Sequence, residues 1–391
     1  MKEIIPKVLL SLDRLPFYVG MLSPDQKPQL PEAMPFKLYV DGRLAIPRLA
    51  RTRAIEDALE AAYSFGSMLS TPLGESALAA ERMAEFMTGL REKSGGVIKG
   101  KRFVEIGAGN GTLLNALREQ GAEVIGFEIG PQAKEASQRF GLTMIQGELA
   151  PTHLPGKVDC IFSYGCLEHI YEPHEFIDLA RGLLVPGGLF FHSVPNSMQH
   201  FKAGTIQELC HEHVNYFTSE NAVRLLTARG FVNCSAQPTQ AGNELHIWGY
   251  ANPDAVLSWP GDDPAVIASE SKLLYEYGKS VEAIVKHQIE RLKSRALLSK
   301  ERKIGFYAGG HTLVALAEIG QYSRFFDGDE TKWGKCWLEG LSPVESPSNL
   351  LGDPLDTVIV CSEHYFATIL TYLRETVGLP ETTAIMRLSE I

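Results

Sequence analysis

Apolar and polar positions divide the chain into stretches of different period. Between Arg102 and Tyr250, short β-branched and aromatic runs at 103–106, 123–127, 159–162 and 188–191 alternate with segments of helical spacing. Runs apolar at consecutive positions read as strands buried on both faces, so the alternation predicts a parallel sheet with helices on both sides. Two later runs, 231–234 and 245–248, predict a strand pair closing one edge, an antiparallel strand among them. Ahead of this block Ala79, Met83, Phe86 and Leu90 recur at helical spacing, which predicts a helix over 76–90 that Ser94-Gly95-Gly96 then ends.

Outside the block the pattern changes. Residues 1–75 are proline-rich early on, and Asp41-Gly42 between the apolar runs 36–40 and 43–46 is a hairpin signal. Turn formers concentrate over 251–264 and mark a linker. Leu274, Tyr277, Val281, Ile284 and Leu292 then fall on one stripe of a long helix, which suits a bridge between domains or a homodimer contact. A second α/β unit begins with a strand at 303–307, the turn Ala308-Gly-Gly-His311 and a helix over 312–319, with further strands at 325–327 and 357–360. The expected organisation is a small N-terminal α+β domain (1–75), a central Rossmann-like sheet (76–250), a linker and long helix (251–300), and a second Rossmann-like α/β domain (301–391).

Composition narrows the function. The chain has 391 residues, 45% apolar and 21% charged, enough for several buried cores and too ordinary for disorder. Thirty-seven basic against 47 acidic residues give a net charge of −10, which repels phosphate backbones and anionic lipid. A small-molecule substrate is expected, with neither nucleic acid nor membrane as partner. Glu3, Lys7 and Asp13 interrupt the apolar N-terminus, so the reading is cytoplasmic. The six cysteines, at 160, 166, 210, 234, 336 and 361, include no pair with zinc-clamp spacing and read as buried small hydrophobes.

The strongest chemical signal is Glu105-Ile-Gly-Ala-Gly-Asn-Gly-Thr-Leu-Leu114, which follows a strand and opens a helix. Gly107, Gly109 and Gly111 let the backbone turn tightly against a ligand, and their closer spacing differs from the Gly-x-Gly-x-x-Gly of nicotinamide-cofactor folds. Glu128 ends the next strand, where two acceptor oxygens suit both hydroxyls of a ribose. Glu148, in Ile145-Gln-Gly-Glu148, follows a third strand and can receive an adenine amino group.

In register, these segments resemble a class I S-adenosylmethionine-dependent methyltransferase over about residues 80–250. Tyr164-Gly-Cys-Leu-Glu-His-Ile170 and Leu184-Val-Pro-Gly-Gly-Leu189 are similar to that family's motifs around its fourth and fifth strands. The resemblance implies S-adenosylmethionine as cofactor. It also implies cofactor contacts from Tyr63, Phe65, Glu105, Gly107, Gly109, Asn110, Gly111, Leu113, Glu128, Ile129, Gly147, Glu148, Leu149, Tyr164, Cys166 and His169.

A narrower resemblance covers nearly the whole chain. Cys210-His-Glu-His-Val-Asn-Tyr-Phe217 is similar to the Tyr-His-Glu-His-x-x-Tyr-Phe signature of C-methyltransferases acting on nucleotide-linked keto-deoxysugars, and Asn243-Glu-Leu-His246 to their following strand. The tail segments Tyr307-Ala-Gly-Gly-His-Thr-Leu313 and Asp327-Gly-Asp-Glu-Thr-Lys-Trp-Gly334 resemble that family's second Rossmann-like domain. Substrate contacts implied in this way are Asn196, Cys210, Tyr216, Asn243 and His311. The family's four-cysteine zinc module has no counterpart, since residues 1–159 hold no cysteine, and Cys210 replaces the motif's leading tyrosine. No metal ligand is expected.

Carbon has no lone pair to present to a sulfonium methyl, so methylation beside a ketone needs a base for the α-proton. His213 is the candidate base and Glu212, read as an exposed carboxylate, orients it or binds sugar. The bland reading makes 211–213 a structural turn with one histidine solvated. A row of three metal ligands there is awkward, because in an extended segment His211 and His213 share a face while Glu212 points away. Two other functions fit the motifs: O- or N-methylation of another polar metabolite, and a non-catalytic S-adenosylmethionine-binding module.

Overall fold

The computed structural model describes residues 7–17, 30–31, 33–63, 77–206, 208–294, 304–308, 323–336, 342–363 and 365–391. Along the chain run β1 (Val8–Pro16), β2 (Ala33–Val40), β3 (Pro47–Leu49), α1 (Arg53–Tyr63), α2 (Ala77–Lys93), β4 (Arg102–Ile106), α3 (Thr112–Glu119), β5 (Glu123–Glu128), α4 (Gln132–Phe140), β6 (Met144–Gln146), β7 (Val158–Tyr164), α5 (Pro173–Leu183), β8 (Leu184–Pro195), α6 (Ser197–Ala203) and α7 (Ser219–Ala228). They are followed by β9 (Phe231–Pro238), β10 (Glu244–Ala251), α8 (Pro264–Ser294), β11 (Ile304–Tyr307), β12 (Ser323–Phe326), β13 (Val344–Glu345), α9 (Asn349–Gly352), β14 (Thr357–Val360), α10 (Phe366–Thr371) and β15 (Ala384–Arg387). These gather into two compact units. One takes the described residues of Met1–Leu10, Lys37–Lys202 and His211–Tyr275, the other those of Ser11–Phe36, Ala203–Cys210 and Glu276–Ile391.

The first unit is built on a seven-stranded sheet of order β6-β5-β4-β7-β8-β10-β9. β4, β5, β6, β7 and β8 are parallel, while β10 runs antiparallel to both β8 and β9. Successive strand residues point to opposite faces. Val104, Ile106, Ile161 and Phe190 therefore join one buried cluster with Ile177 and Ala180 of α5 and Leu225 and Leu226 of α7. Phe103, Cys160, Phe162 and Phe191 join the other with Phe86 and Leu90 of α2 and Leu113, Leu114 and Leu117 of α3. This two-sided burial explains why the strands are apolar at consecutive positions. The last strand in sequence lies inside the edge rather than on it, because β10 inserts between β8 and β9.

The predicted hairpin near residue 40 forms with a longer turn. β2 pairs antiparallel with β3 through Leu38↔Leu49, Tyr39↔Arg48 and Val40↔Pro47. Residues 43–46, expected as strand, are the connection. The Asp41 carboxylate accepts hydrogen bonds from the Arg43 and Leu44 amides at 2.8 Å each, and Ala45 takes a φ of 51°. Local side-chain acceptors of this kind compete with a β-ladder.

The second unit holds a five-stranded, all-parallel sheet of order β13-β12-β11-β14-β15, Rossmann-like in its outward winding from β11. Tyr307, Phe326, Val358 and Val360 pack there against Leu350, Phe366 and Leu373. The long helix is present as α8, with Leu274, Tyr277 and Val281 of its stripe buried. The helix expected at 312–319 lies outside the described residues. Among the described residues no helix is long and apolar enough to cross a membrane.

Candidate active site

The glycine loop leaves β4 at the C-terminal end of the sheet, where ligands of open α/β sheets bind. Gly107, Gly109 and Gly111 have φ of 65°, 48° and 75°, a region that side chains disfavour. Gly111 is the N-cap of α3, and a Cβ there would lie 2.8 Å from Leu142 Cδ1 and 3.0 Å from Ala136 Cβ. At Gly109 a Cβ would meet nothing within 4 Å, so this side of the loop is open. Gly111→Ala should therefore cost about 1–2 kcal/mol for the left-handed backbone and about 1–3 kcal/mol for overpacking. Gly109→Ala should cost the backbone part alone. Calorimetric melting of the two variants checks the difference, and equal losses would remove the packing argument.

Glu128, at the tip of β5, is buried. Its Oε2 accepts from the Gly109 amide at 2.9 Å and its Oε1 from the Gly130 amide at 2.7 Å, leaving a further acceptor site on each oxygen. The Gly147 amide donates to the Glu128 carbonyl at 3.0 Å and ties the loop after β6 to this point; Glu148 beside it is exposed. Asn110 Oδ1 accepts from the Thr112 amide and hydroxyl at 3.1 and 2.7 Å, which shapes the entry to α3. Ile129 is exposed, whereas Leu113 and Leu149 bury their side chains in the two hydrophobic clusters, so any ligand contact from these two is through backbone.

Glu105 lies beneath the loop, fully buried, and its Oε2 has no hydrogen-bond partner. Burial, and then the Glu128 carboxylate, push its pKa well above the ordinary range. A Cβ on Gly107 would lie 3.0 Å from the Cys166 sulfur, which brings the turn after β7 against the glycine loop. Burial raises the Cys166 thiol, and Glu168, Glu128 and Glu105 add to the rise, so the thiol is no nucleophile. Three carboxylates thus act on one point beside the loop. No two of the six cysteines are joined by a disulfide bond.

A second group of side chains meets this turn. Leu167–His169 forms a short 3-10 turn, and the Glu168 carbonyl accepts from the Val214 and Asn215 amides at 2.9 and 3.0 Å. Asn215 Nδ2 donates to the Ile170 carbonyl at 2.7 Å. The imidazoles of His169 and His213 meet edge-on, centroids 5.2 Å apart. The far end of the segment is held by a capping box between Thr218 and Asn221 that starts α7. His211, Glu212 and His213 are all buried, and 211–212 is a turn rather than an extended run. Glu212, expected exposed, brings its Oε2 within 3.9 Å of His169 Nδ1. Glu168, His169 and His213 each place one donor atom within 4.8 Å of the other two.

The remaining expected residues are spread more widely. Tyr164 donates its hydroxyl to Glu244 at 2.6 Å, where Ser193 Oγ also donates and Arg82 pairs. Asn196 Nδ2 donates to the Gly242 carbonyl at 2.8 Å, and its amide donates to the Asn243 carbonyl at 2.9 Å, so both asparagines brace the β8–β10 pair. Tyr216 is buried, its ring stacked on Phe201. Tyr63 ends α1, and Cys210 is buried in the second unit. Phe65 and His311 lie outside the described residues. Glu168 and Glu244 were not singled out by sequence; Glu168 adjoins His169 in the same motif, and Glu244 adjoins Asn243.

A methyltransferase-domain family matches residues 79–236. The C-methyltransferase NovU of Streptomyces niveus is 24% identical over 299 residues, covering 72% of this chain and 70% of that protein. The ubiquinone biosynthesis O-methyltransferase of Psychrobacter arcticus is 30% identical over 109 residues, so that the chain spans 42% of that relative's length. Among solved structures, the N-methyltransferase NodS of Bradyrhizobium japonicum with S-adenosyl-l-homocysteine is 16% identical, with 51% of this chain and 99% of that one covered at a TM-score of 0.38.

Proposed function

Since this chain is a class I S-adenosylmethionine-dependent methyltransferase, its domain spanning residues 79–236, we propose that it methylates the carbon beside a ketone in a nucleotide-linked deoxysugar. The cofactor supplies an electrophilic methyl on a sulfonium, and it carries positive charge at the sulfur and at its amino group. The observation that supports the reading is the junction of the glycine loop with the turn after β7. There the carboxylates of Glu168 and Glu128 act on the Cys166 thiol beside the buried carboxyl of Glu105, and the His169–His213 pair adjoins Glu168. Ionised carboxylates at this junction attract a cation and repel the pyrophosphate of a nicotinamide dinucleotide.

In this reading Glu128 holds the ribose hydroxyls and the partnerless oxygen of Glu105 receives the ammonium. His213 takes the α-proton, the electron pair left on the α-carbon forms the new bond to the methyl, and the electrons of the old carbon–sulfur bond stay on sulfur. Glu212, buried beside His169, positions the histidine pair. The resemblance of 210–217 to the sugar C-methyltransferase signature and the long match to a C-methyltransferase support the carbon acceptor. The shorter matches to O-methyltransferases support a second reading, transfer to oxygen. Incubating the protein with methyl-labelled S-adenosylmethionine and a panel of nucleotide-linked keto sugars, followed by mass analysis, tests the substrate class. Label entering simple phenols but no keto sugar would favour the second reading.

Glu105 adds a pH dependence. Without ligand its raised pKa keeps a proton on it well above the ordinary carboxylate range, and an ammonium binds best opposite the ionised form. Cofactor affinity should rise with pH up to that raised pKa and level off above it, with a proton released on binding below it. Calorimetry in two buffers of different ionisation enthalpy reads the release. Glu105→Gln should abolish it, and a flat wild-type profile would take the ammonium away from Glu105.

A further inference from the structure

We infer that Glu168, His169 and His213 form a binding site for a first-row divalent transition ion, and that the ion stops methyl transfer by occupying the lone pair on which the proposed reaction depends. The second half rests on the reading of His213 as base; the first stands on geometry alone. It departs from the expectation that no residue of this chain serves a metal. That expectation considered three neighbours in a row, whereas the fold takes two donors from the turn after β7 and the third from the segment before α7.

Two imidazoles and a carboxylate are the donor set of zinc, iron, cobalt and nickel sites with open positions. The three donor atoms already lie within 4.8 Å of one another. Ligand bonds of about 2.0–2.2 Å bring donors to roughly 3–4 Å, so small side-chain rotations complete the set. The tautomer of His169 points the same way. Its Nδ1 lies 2.9 Å from the Glu212 carbonyl oxygen, which only accepts, so Nδ1 carries the hydrogen. Its Nε2 lies 3.8 Å from Glu168 Oε1. A ring nitrogen that donates to a backbone carbonyl is a usual outer arrangement of a metal-bound histidine, leaving the other nitrogen to the ion. The paired amides on the Glu168 carbonyl hold that turn in place. Glu168 and His213 are buried, while His169 is half-buried and offers the open side.

The test uses the full chain freed of metal with a chelator. Titration with Zn2+ against a chromophoric chelator should give one tight site per chain, and Co2+ should develop visible d–d bands. His169→Ala and Glu168→Gln should each weaken binding at least roughly 10–100-fold, with circular dichroism and thermal melting verifying the fold. Zn2+ should suppress exchange of the substrate α-proton with solvent, and chelator should restore it. Absence of saturable Zn2+ and Co2+ binding to the wild type overturns the site, as does binding that neither substitution weakens. Saturable binding with unaltered proton exchange overturns the inhibition. Metal-free protein that exchanges no α-proton on a substrate it methylates overturns the base reading instead, and leaves the binding titration to decide the site.

Discussion

His213→Ala is expected to lower turnover on a carbon acceptor by roughly 10²–10⁴-fold while leaving cofactor affinity nearly unchanged, the signature of a lost general base. His213 lies in a buried segment pinned at several points: the Val214 and Asn215 amides reach the Glu168 carbonyl, the Leu49 amide reaches the Val214 carbonyl, and the capping box follows. Replacing the ring leaves these backbone bonds in place, so the loss should lie in chemistry rather than in folding. Solvent exchange of the substrate α-proton should vanish with turnover. Rapid exchange by the variant would show that another group removes the proton, and near-normal turnover would move the acceptor to a heteroatom.

Glu128→Ala is expected to weaken cofactor binding by about 1.5–3 kcal/mol, the scale of hydrogen bonds to a charged group, or roughly 10–150-fold in Kd. Two effects add here. In the proposed reading the ribose hydroxyls lose their acceptors, and the Gly109 and Gly130 amides lose the carboxylate that sets the two loops against each other. Glu128→Gln separates them: its single carbonyl oxygen serves one amide, so affinity should fall between wild type and alanine. Calorimetric titration with S-adenosylmethionine reads both variants. Affinity unchanged in the alanine variant would take the ribose away from Glu128.

The glycine loop and Glu128 of the candidate site were legible in the sequence as elements because they are local. Three glycines after one strand and an acid ending the next fix positions on a parallel sheet before any tertiary contact is known, and Glu105 through Glu128 stand there. His169 and His213 were both singled out in the sequence, but their meeting was not legible, because it depends on hydrogen bonds between separate loops. The burial of Glu212 follows from the same docking, which no periodicity records. Short strands fared similarly: β13, Val344–Glu345, and β15, Ala384–Arg387, are too brief to signal themselves, and pairing gives them their place. At residues 43–46 the apolar pattern was real but served burial of a turn, since Leu44, Ala45 and Ile46 are all buried without a strand partner being required.

The central claim, methyl transfer from S-adenosylmethionine to a carbon beside a ketone, is tested most directly by NMR of the product formed with 13C-methyl cofactor and a nucleotide-linked keto-deoxysugar. The expected product carries the labelled methyl on a ring carbon, coupled to its carbon neighbours, with one proton lost from that carbon. A labelled methyl attached to oxygen or nitrogen, or no labelled sugar across the panel, would contradict it.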